Sequence, residues 1–193
     1  MSPMRRLAAV LLLAAAPLPA CAHALSDAAG VAAGLAHPFL GLDHLLAMVA
    51  VGVWGGQLGG AWRWRVPLAF VATMAAAAWA GASGIALPRV ELGTAASVVL
   101  AGVLVAWAPR LPAWLPIGLV ALFAVFHGHA HATELPDGAS WLGYGAGFVA
   151  ATAVLHACGL ALASVAMRLG GAAAARALGA LAGAGGVWLA LPG

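Results

Sequence analysis

The sequence predicts an all-α fold: a polytopic transmembrane helix bundle of about six membrane-spanning helices behind a cleaved signal peptide. Three observations carry that prediction. The composition is 65% hydrophobic and only 7% charged, the apolar residues fall into six segments of about spanning length, and the arginines are distributed one-sidedly. Soluble domains carry about 25% charged residues, so a mean hydropathy of +1.05 places this chain in lipid. There every backbone polar group has to be paired internally, which makes the segments helices.

At the N-terminus, MSPMRR precedes the short apolar run LAAVLLLAAAPLPA and the small-residue pattern Ala22-His23-Ala24. With Arg5 and Arg6 as its charged start, this reads as a secretory signal cleaved after Ala24, because about a dozen apolar residues fall short of the roughly 20 that a spanning helix needs. Leu18-Pro19-Ala20-Cys21 is a fainter, lipoprotein-like alternative. Cleavage after Ala24 removes Cys21 and leaves Cys158 as the only thiol of residues 25–193. That excludes a disulfide within the mature chain and a thiolate-rich metal cage.

Residues 25–193 then read as one helical bundle with spans at about 35–57, 66–87, 91–109, 113–133, 139–166 and 172–192. Short polar or proline-bearing breaks separate them, and none is long enough for a soluble domain. If the mature N-terminus is outside, the inner loops hold Arg63, Arg65, Arg110, Arg168 and Arg176, and the outer loops hold only Arg89. This asymmetry follows the positive-inside rule, with Glu91, Glu134 and Asp137 on the outer side. Both termini are therefore expected on the periplasmic side. The pI near 9.7 reflects this topology, and no basic face suited to nucleic acid is visible.

Two polar clusters interrupt the spans. His37, Asp43 and His44 stand in LAHPFLGLDHLLAMVAVGVW, and His127, His129, His131 and Glu134 in FAVFHGHAHATELPDG. An ionisable side chain within a span costs about 2.5–3.5 kcal/mol on insertion scales, so such residues mark ion paths, relays or binding sites. His127, His131 and Glu134 are spaced i, i+4, i+7 and share one helix face, whereas His129 points roughly the other way unless Gly128 loosens the turn. Imidazoles and a carboxylate at this spacing suit a borderline divalent cation such as nickel, cobalt, zinc or copper(II).

Opposite span directions put both clusters within about 15 Å of the outer surface. His37 and His44 are about 10.5 Å apart along a regular helix, too far to chelate one ion. Pro38 and Gly41 lie between them and can break the helix, proline by lacking a donor and glycine by tolerating unusual dihedrals, so that His37 folds back. Discontinuous helices are a recurring way for transporters to build ion sites. The bland reading, histidines that merely hydrogen-bond across helices, weakens when five histidines and two carboxylates gather at one depth.

HPFLGLDHLLAMVAVGVW and FHGHAHATELP resemble the two signatures of the HupE/UreJ family of nickel permeases, and the resemblance extends over nearly the whole mature chain. It implies uptake of nickel, in some members cobalt, across the bacterial inner membrane for hydrogenase or urease maturation. On matching positions the metal-handling residues would be His37, Asp43, His44, His127, His131 and Glu134. One departure is Ala132, where the family pattern has glycine, which puts the local backbone shape in question. His129 stays open between ligand, outer capture residue and lipid-interface side chain.

His156 lies some 17 residues into the fifth span, which places it about 25 Å below the outer clusters, either as a lower relay or as a satisfied core histidine. Cys158 reads as a small core residue. An enzyme reading pairs Ser83, in a rhomboid-protease-like Gly81-Ala82-Ser83-Gly84, with His156 as base. A nucleophile needs its base within hydrogen-bond reach, and depth separates these two. A haem-binding electron carrier would use histidines from two helices as axial ligands, and a metal sensor without transport is a further alternative. No nucleotide-binding signature occurs and no organic cofactor is expected. Gly52, Gly56 and Gly60, Gly143 and Gly147, and Gly179 and Gly183 suit close helix contacts, within one chain or between subunits of a homo-oligomer. Trp62, Trp64, Trp114 and Trp141 read as interface anchors.

Overall fold

The computed structural model describes residues 19–191. They form six helices, α1 (Pro19–Leu40), α2 (Leu42–Leu58), α3 (Trp62–Ala82), α4 (Val90–Trp107), α5 (Leu115–Thr133) and α6 (Trp141–Ala190), with no strand among the described residues. Residues 1–18 of the expected signal peptide lie outside the described residues, and the expected cleavage point after Ala24 falls inside α1.

Four helices, α3 to α6, are each long and apolar enough to cross a membrane, and α1 with α2 form a fifth, broken span bent by 79°. Helix α6 consists of two helical arms joined at a kink. It is 50 residues long and leaves helical geometry at Gly171, with φ 62° and ψ −156°. Before the break, Gly143 abuts Asp27 of α1 and Gly159 abuts Gly52 of α2, in the same chain direction; after it, Gly179 abuts Gly102 and Gly186 abuts Val99 of α4, in the opposite direction. The chain therefore reverses at Gly171.

Small residues let these helices approach closely, since a Cβ at Gly52 or Gly159 would run into the backbone of the facing helix. That is the packing lipid-embedded helices use in place of a hydrophobic driving force. Gly60 does not belong to this set. It sits in the α2–α3 turn at φ 52°, with nothing within 4 Å of its Cβ position.

The largest buried side chains are Trp54, Tyr144, Phe70, Phe148, Met48 and Met74. Cys158 is exposed on the outer surface of α6, which corrects its expected place in the core. Among the tryptophans, Trp64 and Trp114 are exposed, and Arg65 lies over the Trp62 ring at 5.3 Å.

Helix direction sorts the arginines. Arg63 and Arg65 begin α3, Arg110 follows α4, and Arg168 and Arg176 flank the Gly171 reversal, so all five gather at one end, with Arg89 before α4 at the other.

Candidate metal centre

The centre is assembled where the first span breaks. Helix α1 ends at Leu40 and α2 starts at Leu42, with Gly41 N donating to His37 O at 3.1 Å and Leu45 N to Gly41 O at 2.9 Å. Because the axes diverge by 79°, His37 no longer lies two turns above His44 on a straight rod. Their ring centroids are 5.3 Å apart. The break falls at Gly41, whereas Pro38 lies inside α1. The role of Gly41 also differs from expectation: at φ −81° and ψ 108° its backbone is one any residue adopts. Space is what it supplies, since a Cβ there would lie 3.1 Å from Asp43 Oδ1 and 3.2 Å from His44 Nδ1.

Helix α5 brings His131 to the same point, its centroid 4.9 Å from His37 and 4.7 Å from His44. One donor nitrogen from each of His37, His44 and His131 lies within 4.8 Å of the others. Nitrogens bound to one ion with bonds of about 2.1 Å stand roughly 3.4 Å apart, so inward shifts of under about 1 Å close the set. Three imidazoles with an open fourth position make a site that can exchange what it holds.

Each ring is held by its neighbours. Asp43 Oδ1 accepts from His44 N at 2.8 Å and lies 3.0 Å from His44 Nδ1. That bond sets His44 as the Nδ1–H tautomer and leaves Nε2 free to ligate, as an outer-shell carboxylate does. His131 stacks on Phe148 at 4.3 Å and 3°. Glu134 Oε2 stands 2.8 Å from His37 Nε2, yet that nitrogen lacks an aligned hydrogen bond. His127 is fully buried, 4.7 Å from His44 by centroid, and its Nε2 meets Ser97 Oγ at 2.8 Å.

His44 Nε2, His127 Nδ1 and both nitrogens of His131 are buried without a hydrogen-bond partner. Leaving such a group unpaired costs about 1–3 kcal/mol. A borderline cation bound by His44 Nε2 and one nitrogen of His131 would offset part of that cost, and the donor set fits one. A cavity of about 530 Å³ lined by Asp43, Glu91, Thr94 and Glu134 lies beside the trio, at the end that carries Arg89.

The HupE / UreJ protein family matches residues 10–189. The chain is 49% identical over 177 residues to Protein HupE of Rhizobium leguminosarum bv. viciae, an alignment covering 89% of this chain and 93% of that relative. The chain belongs to the HupE/UreJ family. No solved structure matches it.

Within this HupE/UreJ chain the two sequence clusters do meet, although not every residue plays the same part. His37, His44 and His131 converge, Asp43 and Glu134 touch their edges, and His127 lies one turn below His131. His129 stands apart. It is buried, and its Nε2 meets Ile85 O at 2.7 Å, tying α5 to the α3–α4 connection. Neither the trio nor the lipid surface includes it. The helix stays regular through Gly128, which keeps His129 on the opposite face. Ala132 does not disturb α5 either, since its methyl meets Gly81 of α3, where a second Cβ would collide.

Ser83 and His156 do not form a dyad. Ser83 Oγ donates to Trp79 O at 2.8 Å, while His156 packs on Phe70, 13 residues back along α3 and so about 20 Å from Ser83. The three imidazole centroids stand 4.7–5.3 Å apart. Ser97, Tyr144 and Phe148 are site residues the sequence reading missed. The only tyrosine of the chain, in the first turn of α6 and buried with its hydroxyl unpartnered, was the available signal.

Proposed function

We propose that this protein is a multi-pass permease of the bacterial inner membrane that takes up nickel, with cobalt as an alternative cargo, and supplies hydrogenase or urease maturation. The observation that carries the reading is the convergence of His37, His44 and His131, with unpartnered buried nitrogens, in an otherwise apolar bundle. Family membership supports it. The gathering of Arg63, Arg65, Arg110, Arg168 and Arg176 at one end supports an inner side there. On that orientation the histidine site and both termini face the periplasm.

In this mechanism a hydrated cation enters the cavity lined by Asp43, Glu91 and Glu134, exchanges water for imidazoles, and moves inward when the bundle rearranges. Imidazoles ligate only when neutral, so uptake falls on acidification as protons compete. The test is reconstitution in vesicles with nickel, cobalt and zinc in competition. Wild type accumulates nickel or cobalt and His44→Ala does not; wild-type vesicles that take up neither ion would overturn the reading.

A further inference from the structure

Below the histidine trio the bundle holds more polar chemistry than a simple core needs. His156 is buried in α6, and neither ring nitrogen has a hydrogen-bond partner. On the same face Thr152 Oγ1 donates to Met48 Sδ at 3.3 Å and lies 3.7 Å from Met74 Sδ. Thioether sulfur is a weak acceptor, so the hydroxyl gains little there. What the contacts do fix is direction, since both sulfurs, from α2 and α3, are turned inward toward α6.

These groups continue the metal centre. Met48 is one turn below His44 on α2, and Thr152 and His156 are one and two turns below Phe148 on α6. Centroids step from His44 to His127 at 4.7 Å, from His127 to Phe70 at 5.7 Å and from Phe70 to His156 at 5.1 Å. The carbonyl of His156 lies against Gly52, eight residues after His44, so the ring is about 12 Å below the trio and not the 25 Å expected from span boundaries. Helix α6 starts at Trp141, about two turns before Phe148, which stacks on His131, so those turns lie above the trio and account for the difference. On its far side His156 lines a cavity of about 120 Å³ with Trp64, Pro67 and Leu160, toward the arginine-bearing end.

We propose that His156, with the thioethers of Met48 and Met74, forms a second, inner metal station, with Thr152 as a positioning residue that aims the sulfurs. Imidazole and thioether together suit nickel and softer ions better than magnesium or calcium. This station rests on the transport reading, since it receives an ion that the outer centre has already stripped of water. A leucine would fill the His156 position without orphaned nitrogens, whereas the imidazole leaves two donor atoms open to a ligand.

The experiment is equilibrium dialysis of the purified full chain in detergent against radioactive Ni²⁺, paired with vesicle uptake. Wild type is expected to bind two equivalents. His156→Leu is expected to bind one, with outer affinity within about threefold of wild type and uptake reduced at least tenfold; His156→Met, which restores a donor atom, recovers part of that uptake. X-ray absorption of the nickel-loaded wild type is expected to show sulfur in the metal shell, lost in Met48→Leu/Met74→Leu, and this variant decides the matter if His156→Leu does not fold. A single equivalent in wild type, or two retained in His156→Leu with unchanged uptake, overturns the inner station and leaves the outer reading standing. No nickel bound by wild type, or binding unaffected by His44→Ala, overturns the transport reading itself.

Discussion

The chain breaks a helix twice, at Gly41 and at Gly171, and the breaks do opposite things. At Gly41 the backbone is ordinary and the surroundings are crowded: a Cβ would press on Asp43 and His44. At Gly171 the surroundings are open and the backbone is extreme, with φ 62° and ψ −156° and nothing within 4 Å of the Cβ position. The first glycine makes room for chemistry and the second makes a reversal. A helix break in a membrane bundle is therefore a functional pointer only when ionisable groups converge on it, as His37 and His44 do.

The sharpest way to break this comparison is to remove the chemistry from the first break and leave its backbone alone. His44→Ala deletes a proposed ligand and the partner of Asp43. Nickel affinity is expected to fall more than about 100-fold, beyond what loss of an outer-shell partner costs. Dialysis measures it, with monodispersity in detergent as the check on folding. Affinity within tenfold of wild type would leave the Gly41 break no more functional than the Gly171 break.

Asp43→Asn is next in size. Asp43 does not join the trio, but its Oδ1 sets the tautomer of His44, and an amide can meet Nδ1 through its nitrogen and favour the wrong one. A loss of about 10–100-fold in nickel affinity is expected, the range for outer-shell partners of ligating histidines. A loss as large as that of His44→Ala would instead make Asp43 a direct ligand.

How much of this was legible follows from what kind of information each feature needs. The helical class, the multi-pass character and the arginine sidedness were readable because burial in lipid leaves a compositional trace residue by residue. The meeting of His37 with His44 was readable from a break at Gly41, since a straight helix holds the two too far apart, while Pro38 stays inside α1. The cause assigned to Gly41 was not, because whether a glycine serves dihedral or space depends on neighbours folded against it. The depth of His156 was misjudged for a related reason. A span boundary says where hydrophobicity begins, while α6 begins at Ser140, whose Oγ accepts from Gly143 N at 3.0 Å, well above the trio. His129 and Ser83 look functional in one dimension, yet His129 holds a loop carbonyl and Ser83 holds its own helix.

Gly171→Ala tests the second break and affects stability first. Dihedrals of φ 62° and ψ −156° belong to a region that is essentially glycine-only, and other residues pay about 1–3 kcal/mol to occupy it. A lower unfolding temperature in detergent and a lower yield are expected, while the molecules that do fold bind nickel with wild-type affinity. A loss of affinity without a loss of stability would mean that the reversal and the metal centre are coupled.

Gly41→Ala is the mirror image and the smallest effect. Alanine adopts φ −81° and ψ 108° freely, so the unfolding temperature stays near that of wild type. Its methyl would sit 3.1 Å from Asp43 Oδ1 and 3.2 Å from His44 Nδ1, tighter than ordinary contact, so the carboxylate and ring move apart by a few tenths of an ångström. Their hydrogen bond then lengthens from 3.0 Å and weakens without breaking. A bond of this kind contributes about 1–2 kcal/mol when intact, so partial loss lowers nickel affinity about three- to tenfold, less than Asp43→Asn does. Because both variants act through the same Asp43–His44 contact, Gly41→Ala adds little on top of Asp43→Asn, and a double-mutant cycle measures that shortfall. Full additivity would mean that Gly41 acts through the helix bend and not through the pair it makes room for.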